Sequence, residues 1–157
     1  FMFPLLRCKE GGHMEERVYT LEEILQRKDR ACQARKLIME CMKIDAIEDG
    51  AMMTRFQNFF LQISISELHP LIVFCFARSM TDTYEDSLVV LNELNLKSVY
   101  GSHAINEQAN CYIYRATYWL DAELDRQRFL EILERFSEEA QKGFAMYRKK
   151  ASVPRWG

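Results

Sequence analysis

Residues 87–120, with the sequence SLVVLNELNLKSVYGSHAINEQANCYIYRATYWL, decide the fold. In the first part of this stretch, Leu88, Leu91 and Leu94 recur at three-residue steps, and Val90 lies beside them. This spacing places apolar side chains on one face of a helix. The segment therefore predicts a helix that buries this face.

The second part of the stretch changes to a period of two residues. Every second residue from Tyr112 to Leu120 is large or apolar, whereas Arg115 and Thr117 fall between them. Such alternation is typical of a half-buried strand. Residues 99–105 indicate a weaker strand, and the polar residues 106–110 predict a turn between the two. The whole stretch is expected to form a helix followed by a β-hairpin.

The composition is that of an ordinary globular chain. Of its 157 residues, 48% are hydrophobic and 28% are charged, which suits one well-buried core and a single domain. The net charge is -2 and the basic residues are interspersed with acidic ones, so no nucleic-acid partner is expected. The longest apolar run, residues 71–77, is far shorter than the roughly 18 residues of a membrane-spanning helix. No membrane segment is expected.

The first helix has a well-marked start. Thr20 and Glu23 have the spacing of a capping box, in which each side chain bonds to the backbone of the other residue. We expect this helix to end near residues 41–43 and to be followed by a turn at residues 48–50. Its predicted buried stripe consists of Leu21, Ile24, Leu25, Cys32, Ile38 and Met42.

Residues 51–77 predict three strands. The first ends at a turn formed by Gln57 and Asn58, and the second alternates apolar residues at odd positions from 59 to 65 with polar ones. The third, residues 71–77, is apolar on both faces. Either a helix or a second subunit is expected to cover its second face.

A long amphipathic helix closes the predicted fold. It is expected to start at Asp121 or Asp125 and to continue toward Lys150. Its buried stripe is predicted to contain Phe129, Leu133, Phe136, Ala140, Phe144 and Tyr147, with Leu130 and Ile132 at its sides. The element order is helix, three strands, helix, two strands, helix, an α+β fold in which helices pack on an antiparallel sheet.

We expect residues 14–151 to form one domain. Residues 1–13 are interpreted as a tail or as a segment that originates from cloning, because His13-Met14 matches a common cloning site at a start codon. Residues 152–157 are expected to form a C-terminal tail.

The sequence predicts neither a catalytic site nor a cofactor or metal site. The three histidines are scattered, and the five cysteines, an odd number without a close pair, fit a reducing compartment. His103 and Cys111 could face each other across the hairpin, where they would resemble a catalytic base and its nucleophile. The favoured interpretation is that they are simply neighbours packed in a sheet. Glu93, Glu107 and Asp121 are acids at the ends of elements, and their spacing does not indicate an acid–base pair.

Four tyrosines, Tyr100, Tyr112, Tyr114 and Tyr118, are predicted to share a surface of the sheet. Aromatic rings with a polar tip are enriched where proteins bury other proteins. These tyrosines are therefore candidates for a partner groove or a dimer face. The alternative is that they cover the sheet beneath the terminal helix.

The element order, with Leu-Asn-Glu-Leu-Asn at residues 91–95, resembles the YbjN-like family, whose domain is similar to type III secretion chaperones. Asn92 and Asn95 match asparagines often found in that helix of the family, and Asn106-Glu107 lies where the family has a polar hairpin turn. The first helix is longer and more basic than in the family, and the turn lacks the usual Asp-Gly. The resemblance covers residues 20–150 and implies a non-enzymatic, often dimeric, protein-binding or regulatory domain of the bacterial cytoplasm.

Two functional hypotheses follow. The first is a homodimeric, chaperone-like module that binds an apolar segment of a protein partner. The alternative is a small-molecule-binding or catalytic domain with a pocket between the sheet and the helix that carries Leu88 and Leu94. A closed apolar interior at that place would count against the alternative.

Overall fold

The computed structural model describes residues 18–66, 69–81 and 86–151. Within them, three helices and six strands follow in the order α1 (Leu21–Cys41), β1 (Ala46–Glu48), β2 (Ala51–Phe56), β3 (Phe59–Ile65), β4 (Leu71–Ser79), α2 (Ser87–Lys97), β5 (Gly101–Asn106), β6 (Cys111–Trp119) and α3 (Arg126–Ala151). The strands form one antiparallel sheet in the order β1-β2-β3-β4-β6-β5. The predicted α+β class is confirmed.

Local signals in the sequence set the ends of these elements. The Thr20 hydroxyl accepts from the Glu23 backbone N–H at 3.2 Å, and Glu23 Oε2 accepts from the Thr20 N–H at 2.9 Å, so the capping box is present. At the start of α3, Asp125 accepts from the Arg128 N–H at 2.7 Å. Gln57 and Asn58 have φ of 47° and 68°, the left-handed region that a two-residue hairpin turn requires.

The core lies on one side of the sheet. Even-numbered residues of β4 point into it, and Ile72, Phe74 and Phe76 are fully buried. The ring of Phe74 packs edge-on against Phe136 of α3 at 5.2 Å between centroids. All residues of the predicted α3 stripe are buried: Phe129, Leu133, Phe136, Ala140, Phe144 and Tyr147. The three helices contribute their buried residues to this side of the sheet.

The opposite side of the sheet, here called the open sheet face, is not covered by a helix in the described part of the chain. Its residues alternate with the core residues along β2 to β6. They are Met53, Arg55, Phe60, Gln62, Ser64, Leu71, Val73, Cys75, Ala77, Ser79, Ser102, Ala104, Asn106, Cys111, Ile113, Arg115, Thr117 and Trp119. The prediction that β4 is apolar on both faces is confirmed, and within the described residues no helix covers its second face.

The structure corrects three expectations. The sheet has a sixth strand, β1, which precedes the Asp49-Gly50 turn and consists of three exposed residues. α1, which packs against α3, buries Ala31, Ala34 and Ile38. Three other residues of the predicted stripe, Leu21, Leu25 and Cys32, are exposed. Leu88 and Leu130 are also exposed, at 77% and 40%, whereas the sequence predicts both to be buried.

Candidate functional site

The four predicted tyrosines do not form one surface. Tyr112 and Tyr114 are 0% exposed because α3 covers them. These two tyrosines therefore lie beneath the terminal helix, as the alternative interpretation has it, and are not available to a partner. Tyr118 is half-buried at the edge of the core, with the Arg128 guanidinium 6.0 Å from its ring centroid. Tyr100 is 44% exposed and lies beside α3, where its hydroxyl accepts from Arg135 at 3.2 Å.

A carboxylate of α3 holds the loop between α2 and β5. Glu139 accepts hydrogen bonds from the backbone N–H groups of Val99 (2.8 Å), Tyr100 (3.0 Å) and Gly101 (2.9 Å). It also accepts from the Ser98 hydroxyl at 2.8 Å. Three successive backbone donors that converge on an anion form a nest, so this loop is fixed to α3 by its own internal anion.

The Tyr114 hydroxyl completes this Glu139 cradle with a hydrogen bond of 2.6 Å. Burial alone would raise the pKa of Glu139, but the hydrogen bonds from Tyr114, Val99, Gly101 and Ser98 outweigh burial and lower the pKa to about 2. For Tyr114, burial and the Glu139 carboxylate both raise the pKa far above its ordinary value. The carboxylate is therefore ionised and the phenol is neutral over the whole physiological range.

A second buried polar pair lies next to the cradle. His103 is 5% exposed, and its Nδ1 forms a hydrogen bond of 2.5 Å with the Tyr112 hydroxyl. Burial lowers the pKa of His103 below its ordinary value, although the nearby Glu139 charge opposes this effect. Gly143 allows α3 to approach the pair, since a Cβ there would lie 2.6 Å from both His103 Nδ1 and the Tyr112 hydroxyl.

Asn95, one of the two asparagines in the Leu-Asn-Glu-Leu-Asn segment, binds the backbone of β5. Its side-chain amide donates to the His103 carbonyl at 3.0 Å and accepts from the His103 N–H at 2.7 Å. β5 is an edge strand, and an unpaired edge invites pairing with another chain. Asn95 thus satisfies the backbone of β5 at its exposed edge and fixes α2 to the sheet.

α2 has a second apolar side that faces away from the core. We define the α2 outer face as Leu88, Val89, Asn92, Leu96 and Val99. Leu88, Leu96 and Val99 are 77%, 79% and 78% exposed, and Val89 is 48% exposed. Positions 88, 92 and 96 are four residues apart, so they lie on one side of the helix. Asn92 is the single polar residue of this uncharged stripe.

The inner side of α2 is closed. Val90, Leu91 and Leu94 are buried with Tyr147 in one apolar cluster, and Met80 and Ile105 pack against it. The space between this helix and the sheet is therefore filled by side chains rather than open to a ligand. This packing counts against the alternative hypothesis of a pocket there.

Shallow depressions occur elsewhere in the described structure, among them two of a few hundred Å³. One, of about 360 Å³, lies where the C-terminal end of α2, β5 and α3 meet, and its lining includes Leu94, His103 and Glu139 as well as the exposed Lys97, Arg135 and Lys142. The other, of about 230 Å³, lies between α1 and residues 120–124. The two carboxylates nearest the first depression have different surroundings: Glu139 is held in its cradle, and Glu138 is exposed.

The remaining reactive side chains do not converge. His103 pairs with Tyr114 across the hairpin, and Cys111 pairs with Asn106, so these two residues are not direct cross-strand neighbours. Burial raises the pKa of both Cys75 and Cys111, and thiols of this kind behave as small hydrophobic groups. Glu93 forms an ion pair with Lys150. In the part of the chain that the structure describes, no group of three or more His, Cys, Asp or Glu side chains is arranged to hold a metal ion. Nor is any helix there both long and apolar enough to cross a membrane.

Sequence reasoning missed Glu139, Leu96 and Val99. Glu139 lies beside the predicted stripe residue Ala140, but its sequence neighbour Glu138 has the same type and is exposed. The signal for the α2 outer face was present in the composition of α2, which is apolar on more than one side. A helix that is apolar on more than one side normally buries more than one side.

The fold defines an α+β protein with three helices on one face of an antiparallel sheet. No known protein-family model matches the sequence, and no curated protein matches it either. The fold is that of YbjN from E. coli, described as a candidate transcription regulator, with a TM-score of 0.57 and 12% identity over 78% of this chain and 95% of that chain. The predicted resemblance to YbjN is thereby confirmed at the level of the fold.

Chains from two further structures are similar at lower scores. A chain of the ExoT–SpcS complex from Pseudomonas aeruginosa matches with a TM-score of 0.49 and 14% identity over 73% of this chain and 95% of that chain. A chain of the HopA1–SchA chaperone–effector complex matches with a TM-score of 0.45 and 12% identity over 79% of this chain and 99% of that chain.

Proposed function

We propose that this chain is a non-enzymatic protein-binding module that acts as a homodimer, with the α2 outer face as the surface on which two copies meet. The observation that supports this proposal is the exposure of Leu88, Leu96 and Val99, each above three quarters of its surface. Burying one such leucine or valine contributes about 1.5–3 kcal/mol. Two copies that bury this stripe gain several such contributions at once.

The chemistry of the stripe favours a second copy as the occupant. Leu88, Asn92 and Leu96 carry no charge, so an antiparallel or crossed pair of α2 helices brings no like charges together. A single polar residue inside an apolar helix interface sets the register, because it must meet another polar group. Asn92 lies midway between the two leucines, where its counterpart from a second copy would meet it.

The polar residues support a binding role rather than catalysis. Glu139 and His103 are used for structure, in the cradle and in the pair with Tyr112. Tyr100 follows Val99 directly and is 44% exposed, so we propose that it extends the α2 outer face. Tyr118 remains a candidate for contact at the other end of α3.

We propose a protein partner in addition to self-association, and a cytoplasmic location, which five cysteines without a close pair support.

The oligomeric state tests this proposal. Size-exclusion chromatography with light scattering should give the unmodified chain a mass near twice its 18.6 kDa. The double variant Leu88→Ser/Leu96→Ser should elute with the mass of one copy and keep its helix content by circular dichroism. The matched control is Leu21→Ser/Leu25→Ser, which removes two leucines of α1 that are 72% and 57% exposed and should leave the dimer intact. A monomeric unmodified chain, or a dimer that survives the α2 variant, would refute the α2 interface.

A further inference from the structure

The depression of about 360 Å³ at the junction of α2, β5 and α3 is lined by all three elements. α3 lines it with residues between Arg135 and Met146 that recur at intervals of three and four, the spacing of one helix face. The end of α2 and the loop after it, residues 97–100, line another side, and the buried His103 of β5 lies at the base. Small-molecule sites have volumes of roughly 300–1,000 Å³, so the depression is large enough for a small ligand.

One ring nitrogen of His103 is available to a ligand in this depression. Nδ1 is bound to the Tyr112 hydroxyl, whereas Nε2 has no hydrogen-bond partner within the described residues. Among those residues, the fully buried side-chain nitrogen or oxygen atom that lacks a partner is Asn110 Oδ1, so His103 Nε2 is not fully buried. Because His103 is 5% exposed and lines the depression, this nitrogen is reached from the depression.

Tyr112 determines which ring nitrogen carries the hydrogen. Burial and the Glu139 carboxylate raise the pKa of Tyr112 well above its ordinary value, so the phenol keeps its hydrogen. The hydroxyl oxygen lies 2.5 Å from His103 Nδ1 and 3.4 Å from the Ala140 carbonyl oxygen, and the shorter contact takes the hydrogen. Burial lowers the pKa of His103, so the neutral ring accepts at Nδ1 and carries its own hydrogen on Nε2. The depression therefore has an N–H donor at its base.

The charges around the depression favour a ligand with one negative charge. Its lining has three cations, Lys97, Arg135 and Lys142, and two carboxylates, Glu138 and Glu139, which leaves one net positive charge. Glu139 is already held by the hydrogen bonds of its cradle. Lys97 and Lys142 are exposed, and neither forms an ion pair with another described residue. Glu138 is exposed one turn before Lys142, and attraction between such surface charges is weak, so both ammonium groups are available to an anion.

The remaining lining provides an apolar contact. Leu94, Val99 and Met146 line the same depression, and Val99 and Met146 are 78% and 38% exposed. A Cβ at Gly143 would overlap Cε1 of His103, next to Nε2, so a side chain at this position would cover the ring. A ligand here meets one N–H donor, two ammonium groups and a few apolar side chains. A small monocarboxylate with an apolar body matches this set.

We propose that this depression binds a small organic carboxylate. One carboxylate oxygen accepts from His103 Nε2, the ammonium groups of Lys97 and Lys142 approach the carboxylate, and the apolar body of the ligand packs on Val99 and Met146. This binding is an activity in addition to the protein binding proposed above. The lining residues belong to one copy of the chain, so the site does not require self-association, although Val99 also belongs to the α2 outer face.

An NMR titration of the full chain with benzoate tests the proposal. Benzoate should shift the Nε2 resonance of His103 in a long-range proton–nitrogen spectrum and leave the exposed His69 unshifted. The control ligand is benzamide, which has the same shape without the charge and should bind about tenfold more weakly. Lys97→Gln/Lys142→Gln should weaken benzoate binding about tenfold. The matched control Lys28→Gln/Lys43→Gln changes two exposed lysines outside the depression and should leave the affinity unchanged.

Three results would overturn the proposal: equal affinity for benzoate and benzamide or binding of neither, an unchanged affinity in Lys97→Gln/Lys142→Gln, or benzoate binding without a shift at His103. The variant Leu88→Ser/Leu96→Ser should bind benzoate as tightly as the unmodified chain. Loss of binding in this variant would assign the site to the contact between two copies and would also overturn the proposal. Because light scattering reports on self-association separately, a failure of carboxylate binding is distinguishable from a failure of the proposed dimer.

Discussion

The Tyr114 hydroxyl donates a hydrogen bond of 2.6 Å to Glu139 Oε1 and joins β6 to α3. The same carboxylate accepts from three successive backbone N–H groups at residues 99–101. One side chain thus connects β6, the loop after α2 and α3. Because Val99 belongs to the α2 outer face, this connection also positions the surface proposed for self-association.

Replacing Glu139 should destabilise the fold. Glu139→Gln keeps the shape but removes the charge and turns an amide N–H₂ toward backbone donors, so we expect a loss of about 2–4 kcal/mol. The contribution of Glu139 should be present above pH 4.5, its ordinary pKa, and should disappear as the pH falls toward about 2, because the folded state lowers the pKa. Urea unfolding followed across pH 2–7 measures both effects.

Glu138 provides the matched control for this experiment. It is exposed one residue away on the same helix, so Glu138→Gln should change the free energy of unfolding by no more than about 0.5 kcal/mol. Equal stability of the two variants would show that the cradle does not stabilise the loop.

His103 should make the protein less stable in mild acid. Burial lowers its pKa in the folded state, so below pH 6.5 the unfolded chain binds a proton that the folded chain resists. Stability contributed by the neutral ring is complete above pH 6.5 and declines as the pH falls toward the lowered value. His103→Gln, which can keep a hydrogen bond to Tyr112, should flatten the slope of unfolding free energy between pH 7 and pH 5.

His69 lies in an exposed turn and serves as the control, because His69→Gln should leave this slope unchanged. If both variants keep the slope of the unmodified chain, the pH dependence has another origin.

The strands and the terminal helix could be predicted because their patterns are unambiguous. Odd positions from Phe59 to Ile65 are buried as predicted, and so is the stripe of α3 from Phe129 to Tyr147. β1 was not predicted as a strand: Ile44 and Ile47 flank acidic residues in a strand-like rhythm, but the strand is only three exposed residues long and a turn follows it directly. Strand pairing with β2 creates this element, and such pairing is not encoded in a local period.

The side on which α2 is buried could not be predicted. The spacing of α2 allows either Val90 or Leu96 to join one apolar stripe with Leu88, Leu91 and Leu94, because the helix is apolar on both sides. Contact with Tyr147 of α3 decides that Leu91 and Leu94 face inward and Leu88 outward. The Glu139 cradle has the same difficulty, because its donors lie 25 to 41 residues away in the chain and meet only in the folded protein.

Gly143→Ala should destabilise the protein although alanine is the better helix former. Alanine in a helix interior is favoured over glycine by about 1 kcal/mol, but the added Cβ would lie 2.6 Å from Tyr112 Oη and from His103 Nδ1. Overpacking of this kind costs about 1–3 kcal/mol, so the net change should be a loss. Urea denaturation measures it.

A second variant separates the clash from other effects of Gly143→Ala. Combining Gly143→Ala with His103→Ala removes the ring that the new methyl group meets, so the pair should be more stable than the sum of the two single losses predicts. Additive losses would mean that His103 does not limit the approach of α3.

Tyr112 and Tyr114 should affect folding rather than association. Both are 0% exposed, so Tyr114→Ser empties a core position and should cost about 3–5 kcal/mol. Tyr114→Phe keeps the ring and removes only the bond to Glu139, for which we expect about 1.5–3 kcal/mol, the usual value for a hydrogen bond to a charged group. Tyr100→Ser, at a 44% exposed position, is the control and should cost less than Tyr114→Ser. Urea unfolding measures the effect on folding, and light scattering measures association. If the Tyr114→Ser chain is as stable as the unmodified protein but its mass in solution changes, Tyr114 belongs to a contact surface instead.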